Sequence, residues 1–564
     1  MKKLLKFVTL AIAAALLLAL AACGGNNQPT GETATPTPTA TPPAVGADTN
    51  ETTEPTERER TYLTVLTWDR GGDGHRDSAD NFFTRWIAEQ VLEELNMVVT
   101  FEAIGRWDED EVIPLMFAGG TMPDLAMTWN GGLVSTFGRQ GGILNLEPLL
   151  NEHLPRLPYL NSWVDNLLWQ NQDPLSGEVF SIMQRRASSG LARTGTFIRS
   201  DWLETLGLPI PTTHEEFIDT LKAFRDNADV LGVSNMVPLA MTQDVRWRAS
   251  TLLESLIDPF LTDEERFIYS VGDRHILFPG YVDGVRMLNY MFNEGLLFSD
   301  FPLHDTDEAT DNLTIAGQVG AYIHNWDNLW RSTPDIMNRL NEVDPNARFI
   351  PIDPFPNPQT GLTQKNTYAA HGFHVFIPAS SRNPVGALEY LDWMSRLENR
   401  LFLQTGIEGI HHNIVNLEGY ELPILFSTDS DGPHRMYSPN NVDLTLVVGS
   451  PPDFGSNRAN ALAASLGFPG IDPELVVQSM EIALLNGRQA PIFQIPGGMP
   501  FNDEFSATFQ TLASNALVAA ITAPVDQFDA VWQAQMDSLM AAGAAQAMDE
   551  RRDGLRRITE QAGD

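Results

Sequence analysis

Three tryptophans are each followed directly by a short polar side chain: Trp68-Asp69, Trp129-Asn130 and Trp326-Asp327. An indole offers a flat apolar face for the C–H face of a sugar ring, and Asp or Asn can hydrogen-bond to sugar hydroxyls. One such pair would more often serve packing than recognition. Because all three follow segments that read as strands, they predict a ligand-binding rim at the strand ends of a sheet.

The motifs of familiar catalytic sites are missing from the sequence. There is no HExxH, no GxSxG, no GxxxxGK[ST] and no GxGxxG that opens a helix after a strand. Carboxylates are so abundant that sequence alone cannot nominate the acid and the nucleophile of a glycosidase. We therefore expect a protein that is not an enzyme and has no cofactor, with a surface polysaccharide hydrolase as the alternative.

Histidines and aspartates give only weak signs of a metal site. His371 and His374 would point to opposite faces of a strand, and adjacent histidines at 411 and 412 do not converge easily. The segment 69–80 has the spacing of a calcium loop but lacks an acidic third position and the bidentate glutamate, and 429–432 is a similar fragment. The sequence predicts solvated turns and no metal.

The elements that would position the tryptophans follow from hydrophobic periodicity. Residues 62–68 alternate like a strand, 81–95 repeat every 3.6 residues like a helix, and 97–101 and 123–129 are further strands. This order predicts a mostly parallel sheet covered by helices. Later segments predict strands at 195–198, 320–324 and 372–377, and helices at 213–226, 281–294, 384–396 and 524–552.

The N-terminus has the features of a secretion signal followed by a lipid attachment site. Residues 1–22 form a lipoprotein signal peptide, with lysines before a short apolar run, and the small residues before Cys23 resemble the bacterial lipobox. Residues 23–60 then form a disordered tether, because ten Thr and six Pro after Cys23 leave too little apolar surface to fold. Two or three acyl chains anchor a protein stably, so we expect an extracytoplasmic protein held on the cell membrane by lipid on Cys23.

Composition excludes several classes of protein. The chain has 564 residues, of which 43% are hydrophobic, enough for large folded cores. With 73 acidic and 36 basic residues its formal charge is −37, which disfavours contact with nucleic acid or with anionic lipid. Cys23 is the single cysteine, so no intramolecular disulfide can form. The body should meet the membrane only through its lipid.

Several separated blocks resemble the family 1 extracellular solute-binding proteins of ABC importers, especially the LipO-like lipoprotein branch. The blocks are 198–208, 211–217, 291–297, 317–321 and 406–411. The resemblance covers nearly all of 61–555 and implies an α/β, two-lobe periplasmic-binding-protein type II fold like that of maltose-binding protein, with a ligand cleft between discontinuous lobes. By order along the chain, lobe one is 61–185 plus 320–395 and lobe two is 186–319 plus 396–564.

The resemblance also implies a function and a set of ligand-binding residues. Lobe one would contribute Trp68, Asp69, Trp129, Asn130, Trp326 and Asp327, and lobe two would contribute Trp247, Glu408 and His411. The expected role is capture of a carbohydrate, in particular an oligosaccharide, and its delivery by a monomer to an ABC transporter permease. Peptides stay open as ligands, and a sensory or scaffolding lipoprotein stays open as a role.

Overall fold

The computed structural model describes most of the chain after residue 57. The described residues are 58–69, 78–106, 108–164, 171–186, 188–331, 335–425, 444, 446, 454, 456–465, 471–493, 495 and 497–563. The predicted signal peptide, Cys23, nearly all of the tether and most of both calcium-like fragments lie outside them. Within the described residues, no helix combines the length and the apolarity needed to cross a bilayer.

The described residues form alternating strands and helices. The strands are β1 Thr61–Asp69, β2 Met97–Gly105, β3 Ala126–Thr128, β4 Ile182–Arg185, β5 Thr194–Arg199, β6 Val237–Ala240, β7 Val319–Asn325, β8 Phe349–Ile352, β9 Lys365–Asn366, β10 His371–Phe376, β11 His412–Leu417, β12 Tyr420–Leu425 and β13 Gly487–Arg488. The helices are α1 Phe82–Leu95, α2 Glu109–Gly119, α3 Gly131–Arg139, α4 Glu147–His153, α5 Pro158–Val164, α6 Ser200–Leu206, α7 His214–Asp226, α8 Val245–Arg248, α9 Ser250–Glu254, α10 Asp263–Tyr269, α11 Tyr281–Asn293, α12 Glu308–Ile315, α13 Ile336–Val343, α14 Pro384–Met394, α15 Leu397–Thr405, α16 Asn457–Ser465, α17 Pro473–Leu484, α18 Pro500–Thr522, α19 Phe528–Leu539 and α20 Ala545–Gly563.

The first helix shows how the sequence sets local structure. Asn81 caps α1 by accepting hydrogen bonds from the backbone amides of Phe83 and Thr84, and the Thr84 hydroxyl accepts one from the Asn81 amide in return. Asn96 ends the helix in the left-handed conformation, at a φ of 48°. The buried face packs onto β1 and β2, so the helix predicted at 81–95 is confirmed.

The first group of strands surrounds one hydrophobic core. β1 and β2 are parallel, β3 joins β1 through a parallel bridge between Val65 and Leu125, and β10 runs antiparallel between β3 and β4. Helices α1 and α14 pack on these strands around buried leucine, valine and aromatic side chains. This arrangement brings the ends of β1 and β3 side by side.

The second sheet has the order β6-β7-β5-β8 and its own cores. β7 is parallel to β6, but β5 is antiparallel to both β7 and β8. Together with the antiparallel β10, this makes the sheets mixed, and the prediction of a mostly parallel sheet is wrong. Alternating hydrophobicity identifies a strand but carries no information about its direction.

The long C-terminal helix predicted at 524–552 is divided in the structure. It begins with a short 3₁₀ turn at Val525–Gln527, continues as α19, and is interrupted at Met540–Ala544 before α20. Gly543 carries a φ of 136° inside the interruption. A Cβ there would lie 2.9 Å from the Phe501 ring, so the break depends on glycine.

Strand pairing revises the predicted lobe boundaries. The chain leaves the first group of strands after Arg185 and enters the second sheet at Thr194, close to the boundary predicted near Gln184. The boundary predicted near Gly320 disagrees with the pairing, because β7 and β8 are hydrogen-bonded to β5. The return runs through 353–370 instead. Helix α15 also packs on the first core through Leu403, so 397–405 belongs there and not with lobe two.

Candidate functional site

Three partly exposed aromatic rings are joined by successive close contacts where the chain passes between the two groups of strands. They are Trp129, Tyr368 and Trp247, and the guanidinium of Arg186 lies between the first two. The Arg186 guanidinium carbon is 5.5 Å from the Trp129 ring and 4.7 Å from the Tyr368 ring. The Tyr368 and Trp247 rings are 6.0 Å apart. We call these four residues the aromatic row.

Trp129 stands at the end of β3 on a rigid support. Its ring stacks on Trp68 with centroids 6.0 Å apart and planes within 10°, and meets the edge of Phe373 at 5.3 Å. Its backbone amide donates a hydrogen bond of 3.0 Å to the Glu109 carboxyl. Trp129 is 39% exposed whereas Trp68 is 2% exposed. The Trp129 indole is therefore accessible to solvent, and the buried Trp68 indole packs behind it.

Arg186 and Tyr368 lie on the two connections between the sheets. The Arg186 amide donates to the carbonyl of Ala370 at 2.8 Å, and the Tyr368 amide donates to the carbonyl of Leu191 at 2.9 Å. These bonds tie residues 186–193 to residues 353–370. Side chains from both connections therefore meet in the middle of the row.

Trp247 completes the row from α8, the short helix that follows β6. The Arg193 guanidinium lies 4.1 Å from its ring centroid and the Arg246 guanidinium 5.1 Å. Arg193 is itself paired with the buried carboxylate of Glu254 at 2.9 Å. Arg246 is 3.6 Å from Asp244. Cations thus recur along the row, although the chain as a whole is strongly acidic.

The carboxyl group that supports Trp129 has an altered proton affinity. The pKa of Glu109 is raised to about 7, because burial and the nearby charge of Asp110 raise it more than the hydrogen bond from the Trp129 amide lowers it. Near neutral pH, Glu109 therefore carries less negative charge than an ordinary glutamate.

A family profile described as bacterial extracellular solute-binding protein matches residues 81–400. The chain belongs to this family. Among curated proteins, Lipoprotein LipO of Bacillus subtilis is 22% identical over 53% of this chain and 58% of its own length. The Polygalacturonan/rhamnogalacturonan-binding protein YtcQ of Bacillus subtilis is 23% identical over 58% of this chain and 64% of its own length. The alignments thus span less than two thirds of each curated relative.

Solved structures show the two-lobe α/β fold of the family. The alginate-binding protein AlgQ2 superposes with a TM-score of 0.59 at 16% identity, covering 89% of this chain and 99% of that one. An HMO-binding, ABC-transporter-associated solute-binding protein from Bifidobacterium longum infantis gives 0.60 at 13% identity, covering 88% and 98%. FusA of S. pneumoniae, in complex with fructo-nystose, gives 0.60 at 14% identity, covering 89% and 100%. The predicted fold class is confirmed.

The first two predicted tryptophan pairs come together, in different roles. Trp129 belongs to the row, while Trp68 lies behind it in the core. Asp69 is exposed at the end of β1, and its carbonyl accepts from the Arg106 amide. Asn130 caps α3 by accepting from the Leu133 amide at 3.0 Å and donates to Asp110 at 2.8 Å. Its side chain is thereby committed to the fold.

The third pair follows β7 in the other sheet. The Trp326 amide donates to the carbonyl of Arg193 at 3.1 Å, which places the start of this turn next to the Trp247 end of the row. The Trp326 ring is partly buried against two cores. Asp327 forms an ion pair of 2.7 Å with Arg331. The pair lies beside the row and not on the rim formed by β1 and β3.

The two remaining predicted residues lie on the turn that leads into β11. His411 is fully buried against Phe82 and Phe83, and its Nδ1 accepts from the Ile407 amide at 2.8 Å. It packs with the first group of strands, contrary to its predicted place in lobe two. Glu408 is exposed and bridges to His412. Both residues shape the turn that ends at β11.

Sequence reasoning missed Arg186 and Tyr368. Neither forms a motif, and each lies in a connection whose partner segment is almost two hundred residues away. The one available signal was Arg185-Arg186 at the end of a strand in an acidic chain. Across the part of the chain that the structure describes, no group of three or more His, Cys, Asp or Glu has the geometry of a metal site.

Proposed function

We propose that this protein captures a carbohydrate outside the cytoplasmic membrane and delivers it to the permease of an ABC importer. The observation that carries the proposal is the aromatic row: three partly exposed rings with guanidinium groups between and beside them. Ring faces suit the C–H faces of pyranoses, and the guanidinium hydrogens suit sugar oxygens.

The length of the row favours an oligosaccharide. Successive contacts of 5.5, 4.7 and 6.0 Å link Trp129 to Trp247 through Arg186 and Tyr368, and we propose a ligand longer than one sugar ring that contacts all four. The names of three relatives agree with this class, since they refer to polygalacturonan and rhamnogalacturonan, to alginate and to fructo-nystose.

Membership of a solute-binding family makes a catalytic role unnecessary. Affinity and closure would be the whole activity: residues from both connections contact the ligand, and its binding would bias the relative position of the two lobes. The permease would then recognise the closed form. We place the row in the ligand cleft, with Trp326 and Asp327 at one end of it.

The direct test is a thermal-shift screen of the full-length chain against neutral oligosaccharides, acidic oligosaccharides and short peptides. A true ligand raises the melting temperature in proportion to the logarithm of its concentration above Kd. Trp129→Ala should abolish the shift, and Trp163→Ala, which removes a tryptophan away from the row, should not. If no saccharide raises the melting temperature, or if a peptide alone does, the proposal is wrong.

Lipid anchoring is tested separately. Because Cys23 is the single cysteine in the chain, labelling with an alkyne analogue of palmitate in a bacterial host reports on one residue. Cys23→Ser should lose the label and leave the membrane fraction, while Gly25→Ala should keep both. Equal labelling of the two variants would contradict the anchor.

A further inference from the structure

Arg186 has no described carboxylate to balance its charge. Its Nη1 donates to the carbonyl of Ala369 at 3.3 Å, and its remaining contacts are the faces of Trp129 and Tyr368. No acidic side chain among the described residues lies within ion-pair distance of its guanidinium. The neighbouring His371 supplies no negative charge in either protonation state, and burial and the Arg186 charge lower its pKa.

Several other buried arginines are paired with carboxylates. Arg193 pairs with Glu254 at 2.9 Å, Arg199 with Asp201 at 2.6 Å, and Arg248 forms a two-pronged pair with Asp307. The sequence has 73 acidic and 36 basic residues, yet a carboxylate partner is not universal. The buried Arg266, for example, donates to the carbonyls of Leu261 and Asp258 and to the Gln364 side chain. Arg186 combines the lack of a described carboxylate with a position against two partly exposed rings.

An unpaired guanidinium that has lost much of its water is costly to keep. Burial lowers the pKa of Arg186, in keeping with that cost, although arginine stays protonated at neutral pH. The cost is offset when an anion enters and forms two parallel N–H···O bonds with the planar group. The flanking rings hold the plane in place and offer apolar faces beside it.

We propose that the ligand is an acidic oligosaccharide, in which the carboxylate of a uronic acid binds Arg186 while neighbouring sugar rings stack on Trp129 and Tyr368. The inference rests on the proposed function and adds its charge selectivity. A carboxylate matches the fork of the guanidinium, and the sugar ring that carries it supplies the C–H face that the indole needs.

The test compares two ligands and four proteins by isothermal titration calorimetry with the full-length chain. The ligands are oligogalacturonates of two to six residues and their methyl esters, which keep the rings and remove the charge. The proteins are the unaltered chain, Arg186→Met, Arg186→Lys and the matched control Arg185→Met. Arg185 is the next residue, exposed, with its guanidinium against Trp163 and not against the row.

The unaltered chain and Arg185→Met should bind the acid about tenfold or more tightly than the ester, the usual gain from a charge-assisted hydrogen bond. Arg186→Met should erase this preference while ester binding persists, which also shows that the variant is folded. Arg186→Lys should restore part of it, because lysine keeps the charge but loses the fork.

Other outcomes overturn the inference in distinguishable ways. If the unaltered chain binds acid and ester with equal affinity, or if the acid preference survives in Arg186→Met, then Arg186 does not determine selectivity for charge. The proposed carbohydrate function is unaffected by that result. If a parallel titration shows tighter binding of sulfated than of uronic oligosaccharides, the anion that Arg186 binds is a sulfate and the inferred carboxylate is wrong. Failure of every saccharide, neutral or acidic, removes the proposed function and the inference with it.

Discussion

Arg186 and Arg199 are both held against aromatic rings, but they differ in what balances their charge. The Arg199 guanidinium lies 4.4 Å from the Trp202 ring and 5.8 Å from Phe349, and is paired with Asp201 at 2.6 Å and Asp344 at 2.9 Å. Arg186 lies between Trp129 and Tyr368 with a carbonyl as its polar partner. The exposed fraction is 3% for Trp202 and 39% for Trp129.

The difference separates a cation that stabilises the fold from one suited to binding. Around Arg199, the chain itself supplies the rings, the carboxylates and the burial, so the charge of the guanidinium is balanced within the fold. Around Arg186, the chain supplies the rings and the cation, and no described carboxylate balances the charge. The same combination of residue types therefore serves stability at the end of β5 and, we propose, recognition at the end of β4.

The largest expected contrast is between the two tryptophans. Trp202→Ala should lower the free energy of unfolding by about 4 kcal/mol, because the side chain is buried and its removal leaves a cavity. Trp129→Ala should cost about 1 kcal/mol, the worth of its exposed stack, and abolish ligand binding. Urea unfolding measures both, and similar losses of stability would place Trp129 in the core.

The next contrast is between the arginines themselves. Arg199→Met leaves Asp201 without its partner and should cost about 3 kcal/mol. Arg186→Met breaks no ion pair with any described residue, and should change the free energy of unfolding by less than about 1 kcal/mol in either direction. Chemical denaturation of both variants decides the matter: a loss of 3 kcal/mol in Arg186→Met would make it a structural residue like Arg199.

Glu109 is the carboxyl group beneath the row, and its titration tests whether that support is acid-sensitive. Since its folded pKa is raised to about 7, the folded state retains its proton more strongly than the unfolded state does. Its contribution to stability is complete below its ordinary pKa and is lost as pH rises through about 7. Relative to Glu109→Gln, the unaltered chain should lose about 2 kcal/mol between pH 5 and pH 8. Parallel curves of stability against pH would show that Glu109 titrates normally.

The smallest expected effect concerns the second partner of Arg199. The Asp344 side chain is 39% exposed, so water screens its pair with Arg199. Asp344→Asn should cost less than about 1 kcal/mol in urea unfolding, because Asp201 still holds the guanidinium. A loss as large as that in Arg199→Met would mean that the outer carboxylate carries the pair.

The fold was predictable where local sequence determines structure. Residues 62–68, 81–95 and 213–226 carry their own periodicity and caps, and each forms the predicted element. Direction and partner were not predictable: Gly320 reads as a strand residue, but nothing near it shows that β7 pairs with β5 and β6. Gly543 interrupts a helix that its neighbours would continue, and the close approach of the Phe501 and Phe505 rings, which leaves no room for a Cβ, is not visible in the local sequence.

The site was predictable in part for the same reason. Trp68 and Trp129 were both predicted because each is a tryptophan followed by a short polar residue, and residue type does not reveal burial. Trp247 was predicted from the family resemblance. Arg186 and Tyr368 acquire their meaning only when residues 186–193 and 353–370 are hydrogen-bonded side by side. Glu408 and His411 came from the family resemblance alone, and both lie on the turn that leads into β11.

The stacked indoles of Trp68 and Trp129 have an optical consequence. Two chromophores 6.0 Å apart, with planes within 10°, couple their electronic transitions and contribute a shared signal to near-ultraviolet circular dichroism. One partner is locked in the interior and the other faces outward, so a molecule that settles on Trp129 perturbs the coupled pair without disturbing its buried half. The protein thus carries an intrinsic spectroscopic reporter of occupancy, readable without any attached label.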